Sequence, residues 1–352
     1  MSWFDRILRQ TPRAPTGSTV ISRAMWACEG RLGLKGDATR ITGEVEGLDV
    51  VVEREVLQLG PERSRAERLL LRARLPLRLD VGLRVTRAAE SDPRRPLRTD
   101  DEPFDASFLA VADEAERGRR FLTDEIRAEL LGGPETELTD SGVTVAVGEA
   151  DAPRIADAMR HTLGLAHALE RQRLTTPPAA ALAEFDTAWR AFATTSQVTV
   201  QSTPLVGRIR LGQVETQALA VRDGFGQFHF ELTARFPFDL RLGLGLRPQN
   251  TTNEHGRDVE SFGDRRFERL FALSAREGSA QPLFDTEVRA RLVELRHAGL
   301  QIRANDRVVS AWMGCRKDDP MAPVRHLWSL ADIAHSVTAR VEAQGPRTTP
   351  LG

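Results

Sequence analysis

Leu71, Ala73, Leu75, Leu77, Leu79, Val81, Leu83 and Val85 share one parity of the chain, and Arg72, Arg74, Pro76, Arg78, Asp80, Gly82 and Arg84 share the other. Strict period two is the signature of a strand with one apolar and one polar face. The same alternation returns from Phe230 to Arg247, with Phe230, Leu232, Ala234, Phe236, Phe238, Leu240, Leu242, Leu244 and Leu246 on the apolar side. Residues 73–83, ARLPLRLDVGL, lie without a gap on residues 234–244, ARFPFDLRLGL, and six of the eleven positions are identical. Pro76 and Pro237 cannot donate a ladder hydrogen bond, so each strand is predicted to be an edge, to bulge or to split there.

Other fragments recur in the same order. Gly30-Arg31-Leu32 and Gly207-Arg208-Ile209 precede the two strands, and Asp105-x-x-Phe108 and Asp264-x-x-Phe267 follow them. Glu125-Ile126-Arg127-Ala128-x-Leu130 then matches Glu287-Val288-Arg289-Ala290-x-Leu292, and Ala166-His167 matches Ala334-His335. Phe4-Asp5 at the start has a counterpart in Phe185-Asp186. An ordered series of matches at nearly constant spacing means a tandem duplication. Each copy is predicted to open on a short amphipathic helix (3–9; 181–192), followed by strands (30–34 and 42–57; 205–211 and 216–221) and then the long alternating strand. A further strand (108–111; 267–273), a helix (117–131; 284–297), a short strand (143–147; 308–312) and a last helix (153–173; 323–342) complete it. The predicted fold class is α+β, as two tandem copies of one antiparallel-sheet-plus-helices unit. The expected boundaries are a first repeat at 1–173, a linker at 174–178 built on Thr175-Thr176-Pro177-Pro178, a second repeat at 179–342 and a disordered tail at 343–352.

Charge and cysteine content narrow the setting. The 352 residues carry 49 basic and 50 acidic side chains. That balance opposes nucleic-acid binding by bulk phosphate attraction. No apolar run approaches the roughly 18 residues a membrane span needs. Met1 to Arg6 lacks the layout of a secretory signal. Two cysteines, Cys28 and Cys315, make no disulfide framework, so a cytoplasmic location is expected. Trp3, Phe4, Ile7 and Leu8 would suit a membrane surface, but the matching Phe185, Trp189 and Phe192 sit mid-chain, which favours packing on the unit itself. Lys35 and Lys317 are the only lysines among the 49 basic residues, leaving 47 arginines, and there is no tyrosine.

Candidate chemistry is sparse. No phosphate loop, dinucleotide fingerprint, H-E-x-x-H, C-x-x-C or nucleophile elbow is present, so no cofactor, metal or catalytic residue is assigned. Arg72, Arg74, Arg78 and Arg84 project from one strand face, and guanidinium groups so arranged can grip a phosphate or carboxylate. Against this, residues 61–98 hold 11 basic and 5 acidic residues and residues 99–151 hold 4 basic and 15 acidic, so the two blocks are expected to pair with each other across the sheet. Arg74 and Arg235 are expected to be held in buried pairs. His167 and His335, repeated by the duplication, are a candidate polar pair where the copies meet, or else half-buried helix histidines bonded to carbonyls. Asp100, Asp101, Glu102 and Asp105 fit no calcium loop and are expected to form a solvated turn.

Phe104-x-x-x-Phe108-x-x-Val111, then Glu114, Arg119-Arg120-Phe121-Leu122-Thr123 and Leu130-Leu131, resembles a stretch in bacterial proteins of unknown function that show a spaced Phe pair, an acidic turn and an Arg-x-x-Leu-Thr helix start. In the second copy Phe284-Asp285 stands where Leu-Thr would be. The resemblance implies no activity and carries over no functional residue.

The apolar frame persists in both copies while the polar face drifts. The expected role is therefore a non-catalytic interaction or scaffold protein with a protein partner. The alternatives are an enzyme with its site in the groove between the copies, and a small-anion sensor on the Arg72–Arg84 face.

Overall fold

The structure is a computed structural model and describes residues 34–37, 39–59, 64–88, 94–148, 152–223, 226–249, 259–276, 280–344 and 349–350. The chain divides into two compact units, Met1–Ala179 and Ala180–Gly352. In the first, β1 (Lys35–Gly36), β2 (Arg40–Val45), β3 (Leu48–Leu59), β4 (Ser64–Arg74), β5 (Arg84–Arg87), β6 (Phe108–Val111), β7 (Glu135–Thr139) and β8 (Gly142–Val147) form one sheet in the order β1-β2-β3-β4-β8-β7-β5-β6. Its helices are α1 (Glu102–Ser107), α2 (Ala115–Phe121), α3 (Asp124–Gly132) and α4 (Ala152–Thr175). In the second, β9 (Thr199–Ser202), β10 (Leu205–Leu211), β11 (Val214–Arg222), β12 (Phe228–Arg235), β14 (Gly245–Pro248), β15 (Phe271–Ser274), β16 (Gln301–Asn305) and β17 (Val308–Gly314) run in the order β9-β10-β11-β12-β17-β16-β14-β15. Helices α5 (Ala183–Ala193), α6 (Arg265–Glu268), α7 (Thr286–His297) and α8 (Ala322–Ala343) accompany them, as does the short strand β13 (Phe238–Asp239). Strand for strand the two orders are the same, and every pairing is antiparallel. The protein is α+β, in two tandem copies of one unit.

Each long alternating strand splits at its proline. β4 stops at Arg74, and β5 lies three places away because the β7–β8 hairpin is inserted between them. Residues 75–83 must cross over that hairpin's turn. They do so by donating Leu75 N–H to Ser141 O (3.0 Å) and Leu79 N–H to Asp140 O (2.8 Å). The second copy repeats the crossing with Phe236 N–H to Arg307 O (3.0 Å) and Leu240 N–H to Asp306 O (2.9 Å). The apolar parity survives the break, since Leu75, Leu79, Val81 and Leu83 remain buried. Only Leu77 lies half out.

The inward faces pack on one long helix in each unit. Helix α4 lies on β4 and β8, and α8 lies on β10, β11, β12 and β17. Val50, Val52, Leu69, Leu71, Val143, Val145 and Leu169 are all nearly inaccessible in the first core, as are Phe230, Leu232, Ala311, Leu327 and Val337 in the second. Burying such side chains is the main stabilising term, at roughly 1.5–3 kcal/mol each.

Several sequence expectations need adjustment. The single helix expected over 117–131 is two, because Thr123 is extended (φ −62°, ψ 161°) and caps α3 at Ile126 N–H. The strand expected over 42–57 is a hairpin turning at Glu46-Gly47, both at positive φ (53° and 78°), the geometry of a tight two-residue turn. By sheet position β10 matches β2, so Gly207-Arg208-Ile209 is not the counterpart of Gly30-Arg31-Leu32, which lies outside the described residues. Asp264-x-x-Phe267 matches Asp101-x-x-Phe104, since Phe108 and Phe271 are the residues that open β6 and β15. Helix α4 runs through Leu174 and Thr175, two residues expected in the linker. Of the tail, Thr349–Pro350 pairs with β13, and the helix expected over 3–9 lies outside the described residues.

Candidate functional site

The crossing segments hold a half-buried carboxylate at the same point of each unit. Asp80 and Gly82 take positive φ (60° and 66°), as do Arg241 and Gly243 (55° and 63°). Left-handed residues two apart turn the intervening and following N–H groups toward one point, an anion-binding concavity. A carboxylate of the same unit fills it. Asp140 accepts from Val81 N–H (3.1 Å), Gly82 N–H (2.9 Å) and Leu83 N–H (2.7 Å). Asp306 accepts from Leu242 (3.0 Å), Gly243 (2.8 Å) and Leu244 (2.9 Å). Burial pushes the Asp140 carboxyl above the ordinary range, against the pull of its three N–H donors. Both nests are occupied by the protein itself, so they act as clamps. Sequence reasoning missed them, although an aspartate at the same hairpin position in both copies was a visible signal.

A second repeated device is an arginine. Arg127 Nε donates to Asp101 Oδ2 (2.9 Å) and its Nη1 to Leu122 O. Arg289 Nε donates to Asp264 Oδ2 (3.2 Å) and its Nη1 to Phe284 O (2.6 Å). Asp101 and Asp264 also cap α1 and α6. Asp105 accepts from Thr99 N–H and Oγ1. The acidic run at 100–105 is thus partly committed to capping and turn bonding. Among the described residues no group of three or more His, Cys, Asp or Glu side chains is placed to hold a metal ion.

The arginine row sits on the face of the first sheet opposite α4. Arg72 pairs with Glu53 (3.1 Å), Arg84 with Glu137 (3.0 Å), and Arg68 with both Glu55 and Glu135. These partners come from β3 and β7, one on either side, rather than from the acidic block at 99–151 alone. Arg74 and Arg78 are exposed, as is Arg235 in the second copy, so the expectation of buried pairing at Arg74 and Arg235 is wrong. Arg74 and Arg235 end their strands, and Arg78 follows the break at Pro76. The four residues Arg72, Arg74, Arg78 and Arg84 do not converge on one point, because the chain break at Pro76 moves Arg84 three strands away.

The same face holds an open concavity of about 470 Å³. Its floor is β8, whose outward residues are the small Gly142, Thr144 and Ala146. One wall is β4, with Arg68, Leu70, Arg72 and Arg74, and the other is β7, with Glu135, Glu137 and Thr139. Register places Arg74, Gly142 and Thr139 in one row, Arg72, Thr144 and Glu137 in the next, and Leu70, Ala146 and Glu135 in the third. In the second copy the position of Ala146 is taken by Trp312. The indole lies over that sheet, its Nε1 donates to Glu231 Oε1 (3.2 Å), and the Arg303 guanidinium stands 5.8 Å from its ring. The trough is open in the first copy, and in the second the Trp312 indole stands at the position of Ala146.

The histidines fall into different settings. His167 Nε2 lies 3.3 Å from Glu46 Oε2, at the β2–β3 turn of its own unit. His335 stands beside Gly212, at the equivalent β10–β11 turn. His161 is 8% exposed and centres a polar chain. Its Nδ1 is 2.8 Å from Glu129 Oε1 and its Nε2 3.1 Å from Thr136 Oγ1. This is the connectivity of an acid, a base and a hydroxyl nucleophile, beside a cavity of about 520 Å³ at the α3–α4 junction. The hydroxyl, however, is donated to Pro134 O (2.9 Å), and Thr136 is 2% exposed. With its hydroxyl proton committed there, Oγ1 can only accept from Nε2–H. Gly133 packs so closely that a Cβ would stand 2.2 Å from His161 Cε1. The chain ties α3, α4 and β7 together. By register the second copy has Arg291, Ile302 and Ser329 at these places, so no sequence match drew attention to it.

Cys315 is half-buried, and burial pushes its thiol up. Cys28 lies outside the described residues. Among the described residues no helix is long and apolar enough to cross a membrane. Comparison with protein-family models, curated proteins and solved structures gives no match to this chain.

Proposed function

We propose that this is a non-catalytic interaction protein whose ligand-facing surface is the trough on the first sheet. The observation that carries the reading is the contrast between Ala146 and Trp312. The clamps at Asp140 and Asp306 and the arginines at 127 and 289 recur in both frames, yet one copy has the small Ala146 on this face and the other has Trp312. A concavity of about 470 Å³ falls within the range of small-ligand sites. The small-anion alternative survives here in altered form, centred on Arg74 rather than on all four arginines. The test is a thermal-shift panel of nucleotides, sugar phosphates, amino acids, short peptides and divalent metals on wild type and Ala146→Trp. At least one class should raise the wild-type Tm, and the variant should lose that gain. No shift with any class, or a shift kept by the variant, refutes the reading.

One observation favours an enzyme instead, the Glu129–His161–Thr136 chain beside its own cavity. Its closed hydroxyl places it second. A hydrolytic activity lost in Thr136→Val while the fold is retained would reverse the order.

A further inference from the structure

The net charge of −1 hides an uneven distribution. On the outer face of the second sheet, away from α8, register sets the side chains in rows. Arg208, Gln217, Thr233, Ser310 and Arg303 form one row from β10 to β16. Arg210, Glu215 and Arg235 lie on one side of it, and Leu219, Glu231, Trp312 and Gln301 on the other. Over β10, β11, β12, β16 and β17 this face carries four arginines against two glutamates, a net charge of +2 with His229 neutral. All four arginines are exposed, and none has a carboxylate within ion-pair distance among the described residues. Glu215 stands between Arg210 and Arg235 and offsets one of them. Glu231 accepts from the Trp312 indole and lies 3.7 Å from His229 Nε2. On the first sheet, by contrast, Arg68, Arg72 and Arg84 are each engaged by a glutamate. Trp312 is half-buried on the second face, with the Arg303 guanidinium beside its ring. The next outward residue of β17 is Gly314, and the space over it is open.

We propose that this face binds single-stranded nucleic acid, at a site of the second unit independent of the trough. Unpaired, exposed arginines on an open sheet select a polyanion, since their charge meets no carboxylate within the unit. The indole among them selects one that carries bases. A sheet face with an aromatic ring stacks unpaired bases, and arginines around it hold the backbone phosphates. From Arg208 to Arg303 the row crosses four strand spacings, about 19 Å, room for on the order of four nucleotides. The indole N–H is committed to Glu231, so Trp312 offers a base only its ring face. Binding is therefore indifferent to base sequence. A duplex keeps its bases stacked inside and makes no use of the indole.

The experiment is fluorescence anisotropy of the full chain with a labelled oligothymidylate of about twelve nucleotides, at about 50 and about 200 mM salt. Saturable binding is expected at the lower salt. With three or four phosphates neutralised, affinity should fall roughly 20- to 50-fold at the higher. Trp312→Ala should weaken binding roughly 5- to 150-fold, the worth of one stacked base, and leave binding of an abasic strand of the same length unchanged. Arg208→Ala and Arg303→Ala change exposed side chains and leave the fold intact, and each should lower the salt slope by about 0.7. These two keep the test open should Trp312→Ala fail to fold by circular dichroism. Absence of saturable binding, or salt slopes unchanged in both arginine variants, overturns the proposal. So does binding of polyglutamate or of phosphatidylserine vesicles as tight as that of the oligonucleotide, which would make the face a general polyanion or membrane surface. Ala146→Trp lies in the other unit and should leave the anisotropy unchanged, so this proposal and the trough reading stand or fall separately.

Discussion

Replacing Asp140 by alanine removes the acceptor of three N–H groups at 2.7 to 3.1 Å. Val81 and Leu83 are 0% and 2% exposed, so water cannot replace the carboxylate at either, whereas Gly82 is half open. A buried donor left without a partner costs roughly 1–3 kcal/mol, so two cost about 2–6. The expected loss is therefore about 2–6 kcal/mol. Asp140→Asn retains one acceptor oxygen and should lose about half as much. Asp306→Ala should lose less, about 1–3 kcal/mol, because of its three donor residues only Leu244 is buried. Urea denaturation gives the stabilities, and hydrogen exchange over residues 79–85 and 240–246 locates the loss. An Asp140→Ala protein within about 0.5 kcal/mol of wild type, with unchanged exchange at Leu83, would refute the clamp.

Three other expectations are open to measurement. Arg127→Ala and Arg289→Ala should each lose about 1–3 kcal/mol, because an aspartate cap and a carbonyl are left without their guanidinium; denaturation midpoints check this. Gly133→Ala should destabilise by about 1–3 kcal/mol and shift the His161 ring resonances, since the new Cβ would stand 2.8 Å from Glu129 O as well as against the imidazole. The third concerns acid. The N–H of Phe267 holds the Asp264 carboxyl down, aided by Arg289, and the N–H of Phe262 and the hydroxyl of Ser261 do the same for Glu268. A carboxylate whose folded pKa is depressed contributes stability that is complete above its unfolded value and lost as pH falls through the folded one. Stability followed by fluorescence from pH 6 downward should therefore drop below about pH 4, and Glu268→Gln should flatten that drop. An unchanged profile in the variant would count against the assignment.

The sequence by itself determined the duplication, the α+β class and which residues face each core. Those rest on local periodicity and self-similarity, and both are properties of a linear string. Leu71 and Ala73 face inward as their parity requires, and Phe230 and Leu232 do the same in the second copy. Pro76 and Pro237 announced a break, again because the missing N–H is a local fact. What lay across that break was not local. The insertion of the β7–β8 hairpin between β4 and β5 decided that Asp140 would meet Val81, Gly82 and Leu83, at a separation of 57 to 59 residues. It also carried Arg84 away from Arg74 and dispersed the predicted arginine row. The His161 chain joins three elements that share no sequence pattern, and the trough exists because Ala146 is small beside walls from two other strands. Such sites depend on which strands become neighbours, and strand order is chosen by burial of the whole apolar frame, a property of the folded chain rather than of any segment within it.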